Sequence, residues 1–232
     1  MYADLHLHTN FSDGTYTPEE LAGHGKRVGL TVMSLTDHDT IDGCARMAVA
    51  CGELDIEFVS GCEFTVELDG FELHLLGYFL DLENTRLLSE LAKYQKVRRN
   101  RIHEMVAKLN GLGIAITSEN VMRIANCDAP GRPHIGRALV ELGHCRNLDE
   151  SFQKWLKKSK PAWVPKAKLS AAEAINLIHD ADGLAVLAHP GLYHHDEVIP
   201  PLVELGMDGL ECLYTRHSTP MTEHYLMLAE QY

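Results

Sequence analysis

The sequence predicts an α/β fold in which a parallel sheet or barrel is interrupted by an all-helical insertion. Three observations support this prediction: short apolar runs alternate with helical patterns, the middle of the chain becomes one long helical pattern, and the charge changes sign there. Residues 84–168 carry a net charge of +10, whereas the rest of the 232-residue chain carries −22. We therefore divide the chain into a barrel, residues 1–83 and 167–232, and a basic insertion, residues 84–166.

The first part of the barrel shows clear start and turn signals. Thr17 opens a capping box with Pro18 at the first helical position. Asp69 and Gly70 separate two β-rich runs, which indicates a tight hairpin. The pattern predicts strands at residues 3–9 and 31–39, the hairpin within residues 56–80, and helices at residues 18–29 and 40–52.

The insertion and the second part of the barrel follow the same rules. A long basic helical pattern begins near residue 84 and is closed by Gly111 and Gly113. Ser170 caps a later helix. The remaining elements predicted are helices around residues 118–126, 133–142, 149–158 and 196–205 and from Thr219, and strands at residues 183–191 and 209–214.

Composition excludes several classes of protein. No run of about 18 apolar residues occurs, so no membrane span is predicted. The N-terminal MYADLHLH lacks the basic and apolar regions of a secretory signal. Six cysteines without C-x-x-C spacing predict reduced thiols in a cytoplasmic protein. The acidic remainder, without interleaved aromatic residues, argues against tight binding of duplex DNA. Oligomeric state is left open.

Histidines concentrate at the predicted ends of strands. His6 and His8 lie two residues apart on one strand, so both imidazoles leave the same face. An exposed polar face would give the same spacing. His38 and His189, however, end two other strands, and His217 lies just past a third. In α/β barrels this rim is where loops converge to build a site.

The predicted hairpin adds a carboxylate to this set. A two-residue turn at Asp69–Gly70 pairs Thr65 with His74, so Glu63 becomes the diagonal neighbour of His74 on the same face. Burying a carboxylate beside an imidazole is costly unless a partner compensates the charge, and a metal would do so. Asp13, in the turn after the first strand, completes a set of five histidines and two carboxylates.

Such a set predicts a multinuclear metal site. Imidazole and carboxylate ligands without thiolate suit Mn²⁺, Zn²⁺ or Fe²⁺. Seven ligands exceed the needs of one tetrahedral ion, so two or three ions sharing Glu63 are expected. Ions about 3.5–4 Å apart lower the pKa of a bridging water and clamp both oxygens of an in-line displacement, which is the chemistry of phosphoester hydrolysis. The basic insertion would then be a lid for an anionic substrate, or otherwise only a solvated surface.

Five motifs occur in order over nearly the whole chain: DLHLHTNFSDGTYTPEEL, LTDHDTIDG, GCEF, ELHLLGY and AHPG. Together they resemble the polymerase-and-histidinol-phosphatase (PHP) superfamily, and most closely its stand-alone nucleotide phosphoesterases with a helical insertion. The resemblance implies a distorted (β/α)₇ barrel, up to three metal ions with Mn²⁺ favoured, and hydrolysis of a phosphate ester. It implies these ligands, position by position: His6, His8, Asp13, His38, Glu63, His74 and His189.

A sixth motif, GRPHIGRALV, also matches that branch, in which an Arg and a His reach the substrate phosphate. The resemblance assigns those roles to Arg132 and His134. Arginine is a bidentate phosphate ligand, and a helix starting at Pro133 favours anions at its N-terminus. A solvated helix start is the alternative. For His217 we expect either a supporting position behind the ligands or a substrate contact, with a rim ligand or a leaving-group acid as alternatives.

The resemblance favours removal of the 3′-phosphate of 3′,5′-bisphosphonucleosides, or cleavage of short oligoribonucleotides from the 5′ end. A histidinol-phosphate phosphatase is an alternative, although it needs no large basic insertion. A metal-dependent amidohydrolase generally wants a bridging lysine, and no predicted strand end offers one. The alternative of another class is a polymerase-associated or nucleic-acid-binding module with a structural metal site.

The sequence ends at MLAEQY within a helical pattern. In the branch it resembles, this helix leads to a strand with a Ser-Asp-x-His-Gly motif that supplies two more ligands. We therefore expect a longer natural chain. Without that strand the first strand would have an exposed edge, and the position formed by Asp13, His38 and His189 would be retained best.

Overall fold

One mixed sheet lies at the centre of the computed structural model, which describes residues 2–166 and 168–232. Its strands follow the order β1-β2-β3-β4-β6-β7, and β5 pairs with β3. Neighbours pair in parallel within β1-β2-β3 and β6-β7, and antiparallel at β3-β4 and β4-β6. The strands are β1 (Ala3–Leu7), β2 (Val32–Leu35), β3 (Glu57–Leu68), β4 (Phe71–Tyr78), β5 (Leu169–Ser170), β6 (Leu184–Leu187) and β7 (Gly209–Leu210).

The sheet is mixed rather than wholly parallel because the β3–β4 hairpin reverses the chain direction. Asp69 and Gly70 both have positive φ, 50° and 85°, as a two-residue type I′ turn requires. The predicted register is confirmed, since Thr65 lies opposite His74. His6 of β1 hydrogen-bonds Glu211, which follows β7, so the two edges of the sheet approach each other in an incomplete barrel.

Nine α-helices are described. The capping boxes predicted at Thr17 and Ser170 are present. Beyond α6 the chain continues as a π-helix at Phe152–Leu156, and 3₁₀ turns occur at Pro190–Leu192 and Asp196–Val198. The α-helices are α1 (Pro18–Arg27), α2 (Cys44–Glu53), α3 (Thr85–Gly111), α4 (Ser118–Ala125), α5 (Arg132–Glu141), α6 (Leu148–Ser151), α7 (Ala171–Asp180), α8 (Ile199–Glu204) and α9 (Thr219–Gln231).

The sheet and the insertion are supported by separate apolar cores. Phe64 and Leu75 are fully buried in the core of the sheet, and Ile102 and Leu139 in the core of the insertion. The long helix α3 serves both, because Leu87 near its start packs into the sheet core. The proposed domain limits stay a prediction, and the limit at residue 167 lies outside the described residues.

The structure bears on two further predictions, that the cysteines are reduced and that no segment spans a membrane. All six cysteines are free, and five of them are buried. Within residues 2–166 and 168–232, no helix has the length and apolar character needed to cross a membrane.

Candidate metal centre

Glu63 lies at the centre of a ring of imidazoles, which we call the Glu63 cluster. Its carboxylate is 2% exposed, and five histidines place a ring nitrogen within 3.3 Å of one of its two oxygens. The sequence predicted all six members. The distances to Glu63 are 3.3 Å from His6, 3.2 Å from His8, 3.0 Å from His38, 2.6 Å from His74 and 3.1 Å from His189.

Strand periodicity and register bring these side chains together. His6 and His8 leave the same face of the first strand and both reach Glu63 Oε2. The segment after β2 pairs with β3, so that His38 lies beside Glu63 in a parallel bridge. The β3–β4 register brings His74 to Glu63 Oε1. His189, two residues beyond the end of β6, adopts a left-handed conformation, with φ of 33°.

The donor set fits divalent metal ions better than hydrogen bonding alone. A carboxylate offers about four lone-pair sites, whereas five imidazoles surround this one. The buried Nδ1 atoms of His38 and His189 have no hydrogen-bond partner among the described residues, although the His38 atom lies 3.0 Å from Glu63 Oε2. Two groups of converging ligand atoms share Glu63, one with His6 and His189, the other with His8 and His38.

The cluster keeps its central carboxylate ionised. Burial raises the pKa of Glu63, but the nearby imidazoles, foremost His38 and His74, hold that pKa well below its usual range. Burial lowers the pKa of His6, but the hydrogen bonds that His6 donates to Glu211 and Glu63 outweigh this effect and raise that pKa to about 10. The site therefore holds an ionised carboxylate where cations would bind.

Glu211 is a functional residue that sequence reasoning missed. Its Oε1 accepts a hydrogen bond from His6 Nδ1 at 2.9 Å, and its Oε2 accepts one from the backbone N–H of His189 at 2.6 Å. Such an outer carboxylate fixes the orientation of a ligating imidazole. The signal was available, because Glu211 directly follows β7, as His189 follows β6.

Asp13 lies at the rim of the cluster on a tightly folded turn. Its carboxylate is 3.7 Å from His8 and 3.9 Å from His38. A Cβ at Gly14 would lie 2.4 Å from the His8 carbonyl oxygen, so this turn needs glycine. The expected grouping of Asp13 with His38 and His189 differs from the observed one, because His189 turns its Nε2 toward Glu63.

A cavity of about 250 Å³ opens beside Asp13, His38 and His74; we call it the arginine cavity. The insertion supplies its cations. Burial lowers the pKa of Arg101 to about 10 and that of Lys166 to about 8. Its lining is Asp13, His38, Thr65, Glu72, His74, Arg98, Arg101, Gly131, Arg132, Pro133, Phe152 and Lys166.

The structure separates the three predicted substrate contacts. Arg132 lines the arginine cavity at the start of α5. His134 does not contribute to the lining described above. Its Nδ1 accepts a hydrogen bond from the backbone N–H of Gly131 at 3.0 Å, and burial, followed by the charge of Arg137, lowers its pKa to about 4. A neutral His134 therefore caps α5.

His217 is held by the backbone on both sides of its ring. Its Nδ1 lies 2.9 Å from the carbonyl oxygen of Cys212, and its Nε2 accepts the N–H of Gly191 at 3.2 Å. Because both nitrogens are engaged, this geometry does not support the expected substrate contact at His217. The ring instead ties the turn that follows His189 to the segment after β7.

A buried anion between barrel and insertion was also missed. Asp39 is 1% exposed and accepts hydrogen bonds from Arg98 and Lys166. Burial raises the pKa of Asp39, and the charges of Lys166 and Arg98 more than reverse that effect. The sequence signal is weak, since the two cations lie 59 and 127 residues away along the chain.

Comparison with known proteins places this geometry among related chains. A model of the PHP domain matches residues 4–183. A 3′,5′-nucleoside bisphosphate phosphatase of Chromobacterium violaceum is 31% identical, over 99% of this chain and 82% of that protein. The 5′-3′ exoribonuclease Rnm of Escherichia coli is 34% identical, over 82% of this chain and 66% of that protein.

A solved structure shows the same architecture. The protein, from Bifidobacterium adolescentis and described as a metal-dependent phosphoesterase, has a TM-score of 0.92 and 28% identity. The alignment covers 99% of this chain and 83% of that one. The match to the PHP domain model includes every residue of the Glu63 cluster except His189.

Proposed function

The chain belongs to the PHP domain family, and from this membership we propose that it is a metal-dependent phosphoesterase that hydrolyses a phosphate ester of a small nucleotide. The observation that carries the proposal is that a site suited to cations borders a cavity suited to anions. The buried Glu63 cluster holds ionised carboxylate among five imidazoles, and the arginine cavity opens directly onto His38 and His74. One region suits cations, and the other suits the anionic remainder of a substrate.

Two to three divalent ions fit this donor set, with Mn²⁺ favoured and Zn²⁺ or Fe²⁺ as alternatives. We assign their binding to His6, His8, Asp13, His38, Glu63, His74 and His189. When bound, the ions supply Lewis-acid polarisation of the scissile phosphate and activate water as the nucleophile. Glu211 orients His6 by accepting a hydrogen bond from its Nδ1–H.

The chain's own cations bind and orient the substrate. Arg132 and Arg101 line the arginine cavity as donors that match phosphate oxygens. His134 acts on this step through the backbone, because it holds the Gly131 N–H at the start of the helix that carries Arg132. These contacts would fix the non-scissile part of the substrate while its ester faces the Glu63 cluster.

The favoured substrate is a 3′,5′-bisphosphonucleoside that loses its 3′-phosphate. The cavity volume of about 250 Å³ lies just below the usual range of small-molecule sites, which favours a single nucleotide over a polymer. The two relatives' names pair this activity with cleavage of RNA from its 5′ end. Hydrolysis of short 5′-phosphorylated oligoribonucleotides is therefore the second substrate to test.

The test is a product assay on the purified protein with added Mn²⁺. Incubation with 3′,5′-bisphosphoadenosine should yield AMP and phosphate in equal amounts, and a 5′-phosphorylated tetraribonucleotide forms the second arm. Histidinol phosphate serves as the third substrate, because faster turnover of it would favour the histidinol-phosphatase alternative. Salt-dependent RNA retention on filters without any hydrolysis would instead favour a binding module.

A further inference from the structure

Asp39 connects both ends of the insertion to the barrel. Its Oδ1 accepts the backbone N–H of Thr65 in β3 at 3.0 Å. Its Oδ2 accepts Arg98 Nε at 2.7 Å and also the ammonium group of Lys166. Arg98 lies on α3, the first helix of the insertion, and Lys166 lies where the chain leaves it. One carboxylate thus holds three separate segments.

The contact of Asp39 with Arg98 and Lys166 is largely shielded from water, so each charge depends on its partners. The side chains of Asp39, Arg98 and Lys166 are 2%, 10% and 5% exposed. Removing one partner from such a buried group leaves the other charges uncompensated, which is far more costly than losing a surface ion pair. Other contacts also cross this boundary, among them the 2.6 Å hydrogen bond that Arg137 Nη2 donates to the Asp13 carbonyl oxygen and the 3.2 Å hydrogen bond from Gln95 to Thr40, but both end on uncharged oxygens.

The same contact reaches the proposed phosphate ligand. A Cβ added to Gly131 would lie 3.4 Å from Arg98 Nη1, so the guanidinium packs directly against the turn that precedes Arg132. Asp39 is also next in sequence to His38 of the Glu63 cluster. The chain of contacts from the metal rim to the phosphate-binding turn therefore runs through Asp39 and Arg98.

We propose that Asp39 is a positioning residue that clasps the insertion onto the barrel and so sets the distance between Arg132 and the Glu63 cluster. The proposal rests on the function proposed above. As a positioning residue, Asp39 makes no contact with the substrate. Its loss would misplace Arg132 while leaving the metal ligands in place, so its cost should approach but not exceed that of removing Arg132.

The variant Asp39→Asn tests the proposal cleanly. Asparagine tolerates the left-handed backbone of this residue, whose φ is 52°, and it keeps an oxygen for the Thr65 N–H. We expect kcat/KM for 3′,5′-bisphosphoadenosine to fall by up to about tenfold, the loss expected when Arg132 itself is removed, mainly through KM. Turnover of p-nitrophenyl phosphate, which is too small to need the insertion, should change less than about threefold, and metal content should be unchanged.

A purely electrostatic effect of Asp39 would change KM in the opposite direction. If Arg98 and Lys166 simply attracted the substrate phosphate, removal of the opposing carboxylate would make the cavity more positive and lower KM. A lower KM in Asp39→Asn would therefore overturn the proposal. So would equal losses on both substrates together with lost metal, because Asp39 would then support His38 rather than the insertion.

Arg98→Met supplies a second variant, and Arg99→Met is its matched control. Arg99 is the adjacent residue on the same helix, and it pairs with Asp128 within the insertion at 3.0 Å. We expect Arg98→Met to reproduce the selective loss on the bisphosphate and Arg99→Met to behave as the parent. Equal effects of the two substitutions would contradict the clasp.

Hydrogen exchange separates this inference from the proposed function. In Asp39→Asn, amides in residues 95–101 and 129–134 should exchange faster than in the parent protein. This readout needs no substrate. If the parent hydrolyses neither ester, the proposed function fails while the exchange result still decides the clasp, and identical exchange in Asp39→Asn would overturn it.

Discussion

The barrel and the insertion are suited to ligands of opposite charge. In the barrel, imidazoles surround the buried carboxylate of Glu63, and this arrangement suits metal cations. On the insertion side, Arg101 and Arg132 converge on a cavity whose carboxylates, Asp13 and Glu72, come from the barrel, and this arrangement suits an anion. The barrel provides the groups that suit metal ions, and the insertion provides the cations that suit an anionic substrate. The comparison teaches that the site is complete only where the two regions meet.

The two regions also differ in how their side chains are positioned. Strand register places the members of the Glu63 cluster, and the paired strands of a sheet leave little freedom. Helix packing and one buried anion place the arginine cavity, since Asp39 links α3 to β3. We therefore expect metal binding to resist substitutions in the insertion, and substrate affinity to be sensitive to them.

The largest expected effect is that of Glu63→Gln. The amide replaces the one charged group that both candidate ligand groups share, so metal content should collapse. Activity should fall by more than the roughly 100-fold that the loss of an outer partner of a metal ligand can cost. Metal analysis and kcat/KM measure the two effects. Glu67→Gln, an exposed position further along β3, is the control, and retained metal in Glu63→Gln would refute the assignment.

Glu211→Gln should have the next largest effect. The imidazole of His6 would lose its carboxylate partner but keep an amide oxygen, so its orientation should persist while its basicity falls. We expect metal affinity to weaken about 10–100-fold. Titration of the metal-free protein with Mn²⁺ measures this. Glu204→Gln at the end of α8 is the exposed control, and an affinity equal to the parent's would show that Glu211 only stabilises the fold.

Arg132→Ala tests the insertion side of the comparison. Loss of one charge-assisted contact, with Arg101 remaining, should cost about 1.5 kcal/mol, or roughly tenfold in KM for the bisphosphate. Metal content should stay at the parent level, in contrast to Glu63→Gln. Arg123→Ala, whose exposed side chain pairs with Glu141, is the control. A metal deficit in Arg132→Ala would break the division between the two regions.

Much of the barrel side could be predicted because its rules are local. A period of two puts His6 and His8 on one face, and a two-residue turn fixes His74 against Glu63. The Asp69–Gly70 turn and the capping box at Thr17 were predicted from short motifs for the same reason. Such features need only neighbours in sequence or across one hairpin.

The missed residues depend on contacts that the sequence does not encode locally. Asp39 meets Lys166 across 127 residues, and Glu211 meets His6 across 205. No spacing rule connects such positions. The family resemblance pointed to Arg132, which lines the cavity, and its role as a phosphate ligand stays a prediction. The capping role of His134 emerged only from the geometry of the Gly131 turn.

The smallest expected effect is that of His217→Phe, which decides between two roles for this ring. Phenylalanine keeps the shape that stacks near Tyr214 and Tyr225, but it loses the hydrogen bonds to Cys212 and Gly191. Their loss should cost about 1–3 kcal/mol of unfolding free energy, at about 2–4 °C of Tm per kcal/mol for a chain of this size. KM for the bisphosphate should stay within about twofold of the parent, because a ring held by backbone on both sides makes no substrate contact. Calorimetry and steady-state kinetics on the same preparation measure the two quantities. His224→Phe, an exposed position on α9 whose ring pairs with Asp196, is the control for a general effect of the substitution. A tenfold rise in KM at unchanged Tm would return His217 to the substrate side of the site, and would mean that the turn after His189 is held without it.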